Sequence, residues 1–152
     1  MIRRYRQDDL DGAAEVFRCA FMAEPWKEAW SRELAAERIS QLMSAPQSVG
    51  YVSEANGTIQ AILCGRKLTY LHGTEYVIDE FCVSPSVQRQ GTGTAVMEYA
   101  AYELRREGVV AIALMTTRGY PGERFYLKNG FEGIDGMVFM YRSIKENVND
   151  KT

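Results

Sequence analysis

Apolar and polar residues alternate along this chain with two distinct periods, and the switches between them predict its elements. Ile2 to Arg6 is short and carries Ile and Tyr, which suits an edge strand. Leu10, Ala13, Ala14, Phe17 and Phe21 then recur at three and four residues, the spacing of one helical face. Asp8 or Asp9 can cap that helix by accepting from its free amides. Pro25 and Trp26 interrupt it, Ser31 starts a second helix with Leu34, Ala35, Ile39 and Leu42 on one side, and Pro46 closes it. Val49 to Glu54 reads as a strand, Asn56-Gly57 as a hairpin turn, and Ile59 to Leu71 as a longer strand in which Gly65 marks a bulge or bend. After Gly73, Glu75 to Val83 completes an antiparallel meander. Thr92 to Arg106 is a helix that buries Gly93, Val96, Met97, Ala100, Ala101 and Leu104 and ends at Gly108. Val109 to Thr116 is continuously apolar, which predicts a central strand covered on both faces. Pro121 to Lys128 is a short helix stopped by Asn129-Gly130, and Phe131 to Ile134 with Met137 to Ile144 predicts a closing hairpin around Asp135-Gly136.

The strand–helix–strand order from 76 to 116 is a crossover, so those two strands are expected to run parallel. The class is therefore mixed α/β (α+β): one domain over residues 1–144, a mostly antiparallel sheet of about six or seven strands with one parallel pair, and about four helices. Residues 145–152 read as a polar tail. At 152 residues the chain is long enough to bury a real core in one domain. A net charge of −2 gives no reason to expect a nucleic-acid partner. Cys19, Cys64 and Cys82 are odd in number and widely spaced, so neither a disulfide framework nor a zinc site is suggested, and His72 is the sole histidine. No metal is expected. Arg3, Arg4 and Arg6 are followed by Asp8 and Asp9 instead of an apolar run, and no stretch approaches the ~18 residues of a membrane span. A cytoplasmic protein without a membrane partner is the expectation.

The chemistry concentrates where the strand ending at Val83 meets the helix starting at Thr92. The intervening residues read SPSVQRQG. Unpaired amides at a helix start, reinforced by the helix dipole, form an anion site. Gly91 and Gly93 take side chains away from the backbone there, Thr92 and Thr94 offer hydroxyls, and Gln88, Arg89 and Gln90 add polar or charged contacts from the turn. This set suits a pyrophosphate. The absence of Gly-Lys-Ser/Thr excludes a P-loop, and Val96 stands where a dinucleotide fingerprint needs its third glycine. A tight turn with no ligand is the plain structural alternative.

The order Val83, Pro85, Gln88, Gly91, Gly93 resembles the acyl-CoA-binding turn of the general N-acetyltransferase (GNAT) superfamily, and Phe125, Tyr126, Gly130 and Phe131 match a second signature, Phe-Tyr-x-x-x-Gly-Phe. Arg89 departs from the small residue often found in that turn. The resemblance implies that acetyl-CoA is the cosubstrate, that the strand ending at Val83 splays from its parallel neighbour, and that the cofactor arm lies in the gap along Phe81, Cys82 and Val83. It implies Tyr126 as general acid toward the leaving sulfur. It also implies an acidic base nearby, for which Glu80 is preferred over Asp79, since adjacent residues on a strand face opposite ways unless a bulge intervenes. Cys82, with no histidine near it in sequence, reads as a structural thiol.

The resemblance also implies that the segment FMAEPWKEAW, between the first two helices, helps wall the acceptor site. Trp26 and Trp30, four apart, offer aromatic faces, and Glu24, Glu28 and Asp79 offer carboxylates, which are the groups an amine calls for; both tryptophans tucked into the core is an equal alternative. Tyr70 and Tyr76 are further candidates for the cleft or for a contact between subunits. The segment is similar to that of bacterial small-amine or aminoglycoside-type enzymes, and the resemblance is compatible with a homodimer. The expected reaction is acetyl transfer to a primary amine of a small molecule. Acetylation of a protein N-terminus or lysine, and a non-catalytic acyl-CoA sensor, stay open beside it.

Overall fold

The structure is a computed structural model that describes residues 1–145. Its elements follow the order β1 (Ile2–Arg4), α1 (Leu10–Met22), α2 (Arg32–Met43), β2 (Ser48–Ala55), β3 (Thr58–Tyr70), β4 (Gly73–Val83), α3 (Thr92–Arg106), β5 (Val109–Ala113) and α4 (Pro121–Lys128). The strands form one sheet in the order β1-β2-β3-β4-β5. Neighbours pair antiparallel except β4 and β5, which are parallel, as the crossover through α3 requires.

Alternation along the strands sends side chains into two cores. Val52, Ile62, Cys64 and Cys82 pack beneath α1 and α2 with Phe17 and Ile39. Their immediate neighbours Tyr51, Ala61 and Leu63 face the other way and meet Val96, Met97, Ala100 and Leu104 of α3. Ser31 caps α2, its hydroxyl oxygen accepting from the Leu34 amide at 3.1 Å. Asp9 behaves differently from a simple cap. Its carboxylate accepts from both Arg3 terminal nitrogens at 2.8 Å and from the Arg6 amide at 2.7 Å, which ties β1 to the start of α1.

Gly65 is confirmed as the site of an irregularity. The β3–β4 register steps from Cys64↔Glu80 to Gly65↔Ile78, so Asp79 is an extra residue in β4. A Cβ at Gly65 would stand 2.4 Å from the Tyr76 ring. The ring lies over the glycine, fully buried, and its hydroxyl donates to the Val49 carbonyl oxygen at 2.8 Å. Tyr76 is therefore a core residue and not part of a cleft.

Two expectations fail at the C-terminal end. The strand predicted to Thr116 ends at Ala113, and it is terminal in the sheet instead of central, with Val110 and Ala111 exposed. The hairpin over 131–144 does not form. Residues 131–144 pair with no strand among the described residues, and every residue from Glu132 to Lys145 is exposed. The sheet has five strands where six or seven were expected. Apolar composition gives a strand only where the run pairs, and among the described residues this segment pairs with no strand although the outer side of β5 is open. The tail expected from 145 onward lies, past Lys145, outside the described residues.

Candidate active site

β4 and β5 run together only as far as Val77↔Ala113. Beyond that pair β4 continues to Val83 on the β3 ladder, while β5 ends. The strands thus part, and a cleft of ≈ 1040 Å³ opens between Ile78–Val83 on one wall and Leu114–Thr117 with α4 on the other. The turn before α3 forms its floor, and Phe21, Glu24 and Trp26 close in from the end of α1.

The turn has the conformation its sequence demands. Gly91 is left-handed at φ 80°, with open space where a side chain would project. Arg89 also has positive φ, 62°, a conformation that costs energy for a residue with a Cβ. The Gln88 amide donates to the Val83 carbonyl oxygen at 3.0 Å and so holds the turn against the strand end. Among the described residues, the amides of Thr92, Gly93 and Thr94 donate to no protein acceptor, and the ladder of α3 begins with Ala95 to Gly91 at 3.0 Å. Gly93 lines the cleft and also meets a packing constraint. A Cβ there would press on the Phe125 ring at 3.2 Å, so its smallness serves the packing of α4 against α3. Gln90 is exposed and does not line the cleft.

Three cations border the same floor: Arg89, Arg124 and Lys128. None forms a salt bridge among the described residues. Arg124 and Lys128 stand one helical turn apart on α4. Sequence reasoning missed this pair, although the i, i+4 spacing in PGERFYLK was there to be read.

The bulge decides where the two acids go. Ile78 packs toward α3 and so does Phe81, three residues on, which strict alternation forbids. The extra residue resets the phase, and both Asp79 and Glu80 line the cleft. Their surroundings differ. Asp79 is held by the Arg66 fork, Nε to Oδ2 at 2.8 Å and Nη2 to Oδ1 at 2.9 Å. Glu80 accepts from Arg38 on Oε1 alone, at 2.9 and 3.3 Å, leaving Oε2 with no hydrogen bond among the described residues. Burial pushes the Glu80 carboxyl above its ordinary range, and the Arg38 guanidinium opposes that push. Arg38 comes from α2, 42 residues away in sequence, and no local signal marks it.

Tyr126 stands across the gap, in an aromatic cluster with Phe81 (ring centroids 6.4 Å), Phe125 (5.3 Å) and Phe131 (5.3 Å). Its hydroxyl has no protein hydrogen bond among the described residues, and burial raises its pKa well above the usual phenol range, with the charge of Glu80 adding to the effect. Phe81, Cys82 and Val83 line the same wall of β4. Cys82 is buried, and burial holds its thiol well above the usual range, which keeps it protonated and unreactive. Cys19, Cys64 and Cys82 are all free.

The acceptor wall splits. α1 ends at Met22 and residues 23–30 form a loop, so Trp26 and Trp30 do not share a helical face. Trp26 lines the cleft, and its ring meets Phe21 at 5.3 Å and, across the mouth, Tyr120 at 6.0 Å. Trp30 turns into the core against Phe17 at 4.8 Å, and its indole nitrogen donates to Glu28 at 3.0 Å. Neither Trp30 nor Glu28 lines the cleft, though the Glu28 charge is near enough to raise Glu80. Of the two glutamates four apart in this segment, Glu24 lines the cleft. Tyr70 lies apart from the cleft, half exposed at the end of β3. Among the described residues there is no group of three or more His, Cys, Asp or Glu side chains placed to hold a metal ion, and no helix is long and apolar enough to cross a membrane.

Comparison with known proteins adds a family. A family model described as acetyltransferase (GNAT) family matches residues 11–131. No curated protein matches the sequence significantly. Among solved structures, a possible acetyltransferase from Clostridium difficile 630 superposes with a TM-score of 0.80 at 17% identity, covering 95% of this chain and 98% of that one. An aminoglycoside acetyltransferase from an uncultured soil metagenomic sample, meta-AAC0020, gives 0.74 at 17% identity, over 95% and 96%. A ribosomal-protein-alanine N-acetyltransferase from Brucella melitensis biovar Abortus 2308 gives 0.75 at 14% identity, over 94% and 99%. At such identities the likeness is one of fold.

Proposed function

Since the chain belongs to the GNAT acetyltransferase family, we propose that it is an acetyl-CoA-dependent N-acetyltransferase that acts on a small primary amine by direct attack. The observation that carries this reading is the meeting of Glu80 and Tyr126 in one gap between parted strands, above a helix start whose amides are free.

The residues present suit acetyl-CoA. The amides of Thr92 to Thr94 and the side chains of Arg89, Arg124 and Lys128 would hold its phosphates, the former by aligned dipoles and the latter by charge. Phe81 to Val83 would hold the arm, since β4 has no ladder partner on that side. Bound there, the cosubstrate supplies an acyl thioester.

An amine attacks only when neutral. Glu80 is the base: its free oxygen takes a proton from the ammonium, and its raised pKa makes it a stronger acceptor than an ordinary carboxylate. Asp79, locked in the Arg66 fork, orients instead of accepting. Tyr126 donates its proton toward the sulfur as the carbon–sulfur bond breaks and the carbon–nitrogen bond forms. Its raised pKa keeps that proton in place through neutral pH. Trp26, Phe21 and Glu24 receive the amine by cation–π attraction and charge.

The fold likeness extends equally to enzymes named for aminoglycosides and for a ribosomal protein, so the site itself carries the choice. The edge contact of Trp26 with Tyr120 narrows the acceptor end, which favours a small amine over a polypeptide. Incubation with acetyl-CoA and a broad panel of amines and peptides, following free thiol, tests the reading. Thiol release with small amines is expected. Turnover confined to peptides would remove the small-molecule reading, and cofactor binding without turnover on any member would favour a sensor.

A further inference from the structure

We propose that Arg66 is a positioning residue: its fork on Asp79 decides which of two adjacent carboxylates takes the proton, a role that rests on the reading of Glu80 as the base.

Asp79 and Glu80 are neighbours on β4, and both line the cleft. Burial does not separate them, for their side chains are 15% and 17% exposed. Each is paired to one arginine, at 2.8 and 2.9 Å. The difference between them lies in the shape of those pairs. Arg66 sends Nε to one oxygen of Asp79 and Nη2 to the other, so both ends of the carboxylate are engaged. Arg38 sends Nε and Nη2 to the same oxygen of Glu80 and leaves Oε2 free. An ammonium approaching Asp79 meets only oxygens already held by a cation, whereas at Glu80 it meets an open one.

The fork is built where the choice arises. Arg66 pairs with Val77 beside the register step, and Asp79 is the residue that the step inserts. Regular alternation would leave one of two adjacent acids in the cleft; the bulge admits both, and the fork then silences one. A planar guanidinium suits this task because its two donors match both oxygens of a carboxylate. With the fork removed, Asp79 takes the ammonium proton on one of its oxygens, as Glu80 does in the parent chain. The nitrogen keeps the electron pair that attacks the thioester.

The test measures turnover with acetyl-CoA and the small primary amine on which the parent chain is most active. Glu80→Gln should lower turnover about 100-fold. Adding Arg66→Met or Arg66→Gln should raise it again about tenfold, and adding Asp79→Asn on top should remove that gain. A residue that served the fold alone would lower turnover in every background. Arg66→Lys keeps a cation beside Asp79 and so guards against unfolding, yet an ammonium is a point donor that cannot fork; a gain of about threefold is expected there. Melting followed by circular dichroism identifies the folded variants. A gain in any of them that Asp79→Asn removes bears the proposal out. No gain in any, or a gain that survives Asp79→Asn, overturns it. Failure of the base assignment is read separately, in the single variant: Glu80→Gln as active as the parent would remove that assignment, and the role of Arg66 with it.

Discussion

Up to Leu104 the chain supplies the core; after it, side chains only lean against that core. Every buried residue lies at or before that leucine, and from Arg105 to Lys145 no residue is fully buried. The first region holds the two cores and the acids. The second holds Tyr126, Arg124, Lys128 and the outer wall. The cleft is the seam between them. The wall after Leu104 is attached through the β4–β5 pairing, the aromatic cluster around Phe81 and the Gly93–Phe125 packing, and among the described residues it has no fully buried residue of its own. The contrast predicts that substitutions of fully buried apolar residues cost folding, and that those lining the seam cost chemistry.

The largest effect should come from the anchored core. Ile62→Ala is expected to destabilise by about 3 kcal/mol, since the site is fully enclosed, whereas Leu127→Ala, half exposed on α4, should cost under about 0.5 kcal/mol by urea denaturation. Similar losses at both positions would erase the contrast.

Glu80→Gln tests the seam from the anchored side. Turnover should fall about 100-fold or more, with melting temperature unchanged or higher, because a buried carboxylate is removed without loss of volume. The pH profile sharpens this. A base must be ionised, so the rate should rise with pH through an apparent pKa above the ordinary glutamate range. Arg38→Ala removes a cation that lowers that pKa and should move the rise to higher pH. A rise that stays in place would detach Glu80 from the profile.

From the open side, Tyr126→Phe should lower turnover at least about tenfold while CoA affinity barely moves, as loss of a proton donor predicts. Equal turnover would remove Tyr126 from the mechanism. The smallest effect belongs to the cationic floor. Arg124→Ala or Lys128→Ala should weaken CoA binding by about three- to tenfold, and the deficit should shrink at high salt. A salt-independent loss would point to packing of α4 instead of charge.

How much of this was legible in sequence depends on how far each feature reaches. The period-two pairs, the start of α2 at Ser31, the glycine turn at Gly91 and the irregularity at Gly65 rest on a few adjacent residues, and the sequence announces them. The phase slip that brings Asp79 and Glu80 to one face needs the β3 partner strand to be counted against β4. Trp26 and Trp30 share a helical spacing, yet they part because α1 stops first and Phe17 offers one of them a buried edge.

By itself the sequence determined the local grammar as far as Lys128: which stretches become helices and strands, and which glycine turn opens a helix with its amides free. Propensity, capping and period act over a few residues, and those residues are contiguous. Only the tertiary structure decided which acid keeps a free oxygen, which cations face the floor, and that the apolar run after Gly136 pairs with no strand among the described residues. Those outcomes depend on partners as distant as Arg38 is from Glu80, and such pairings are chosen by packing, after the local elements exist.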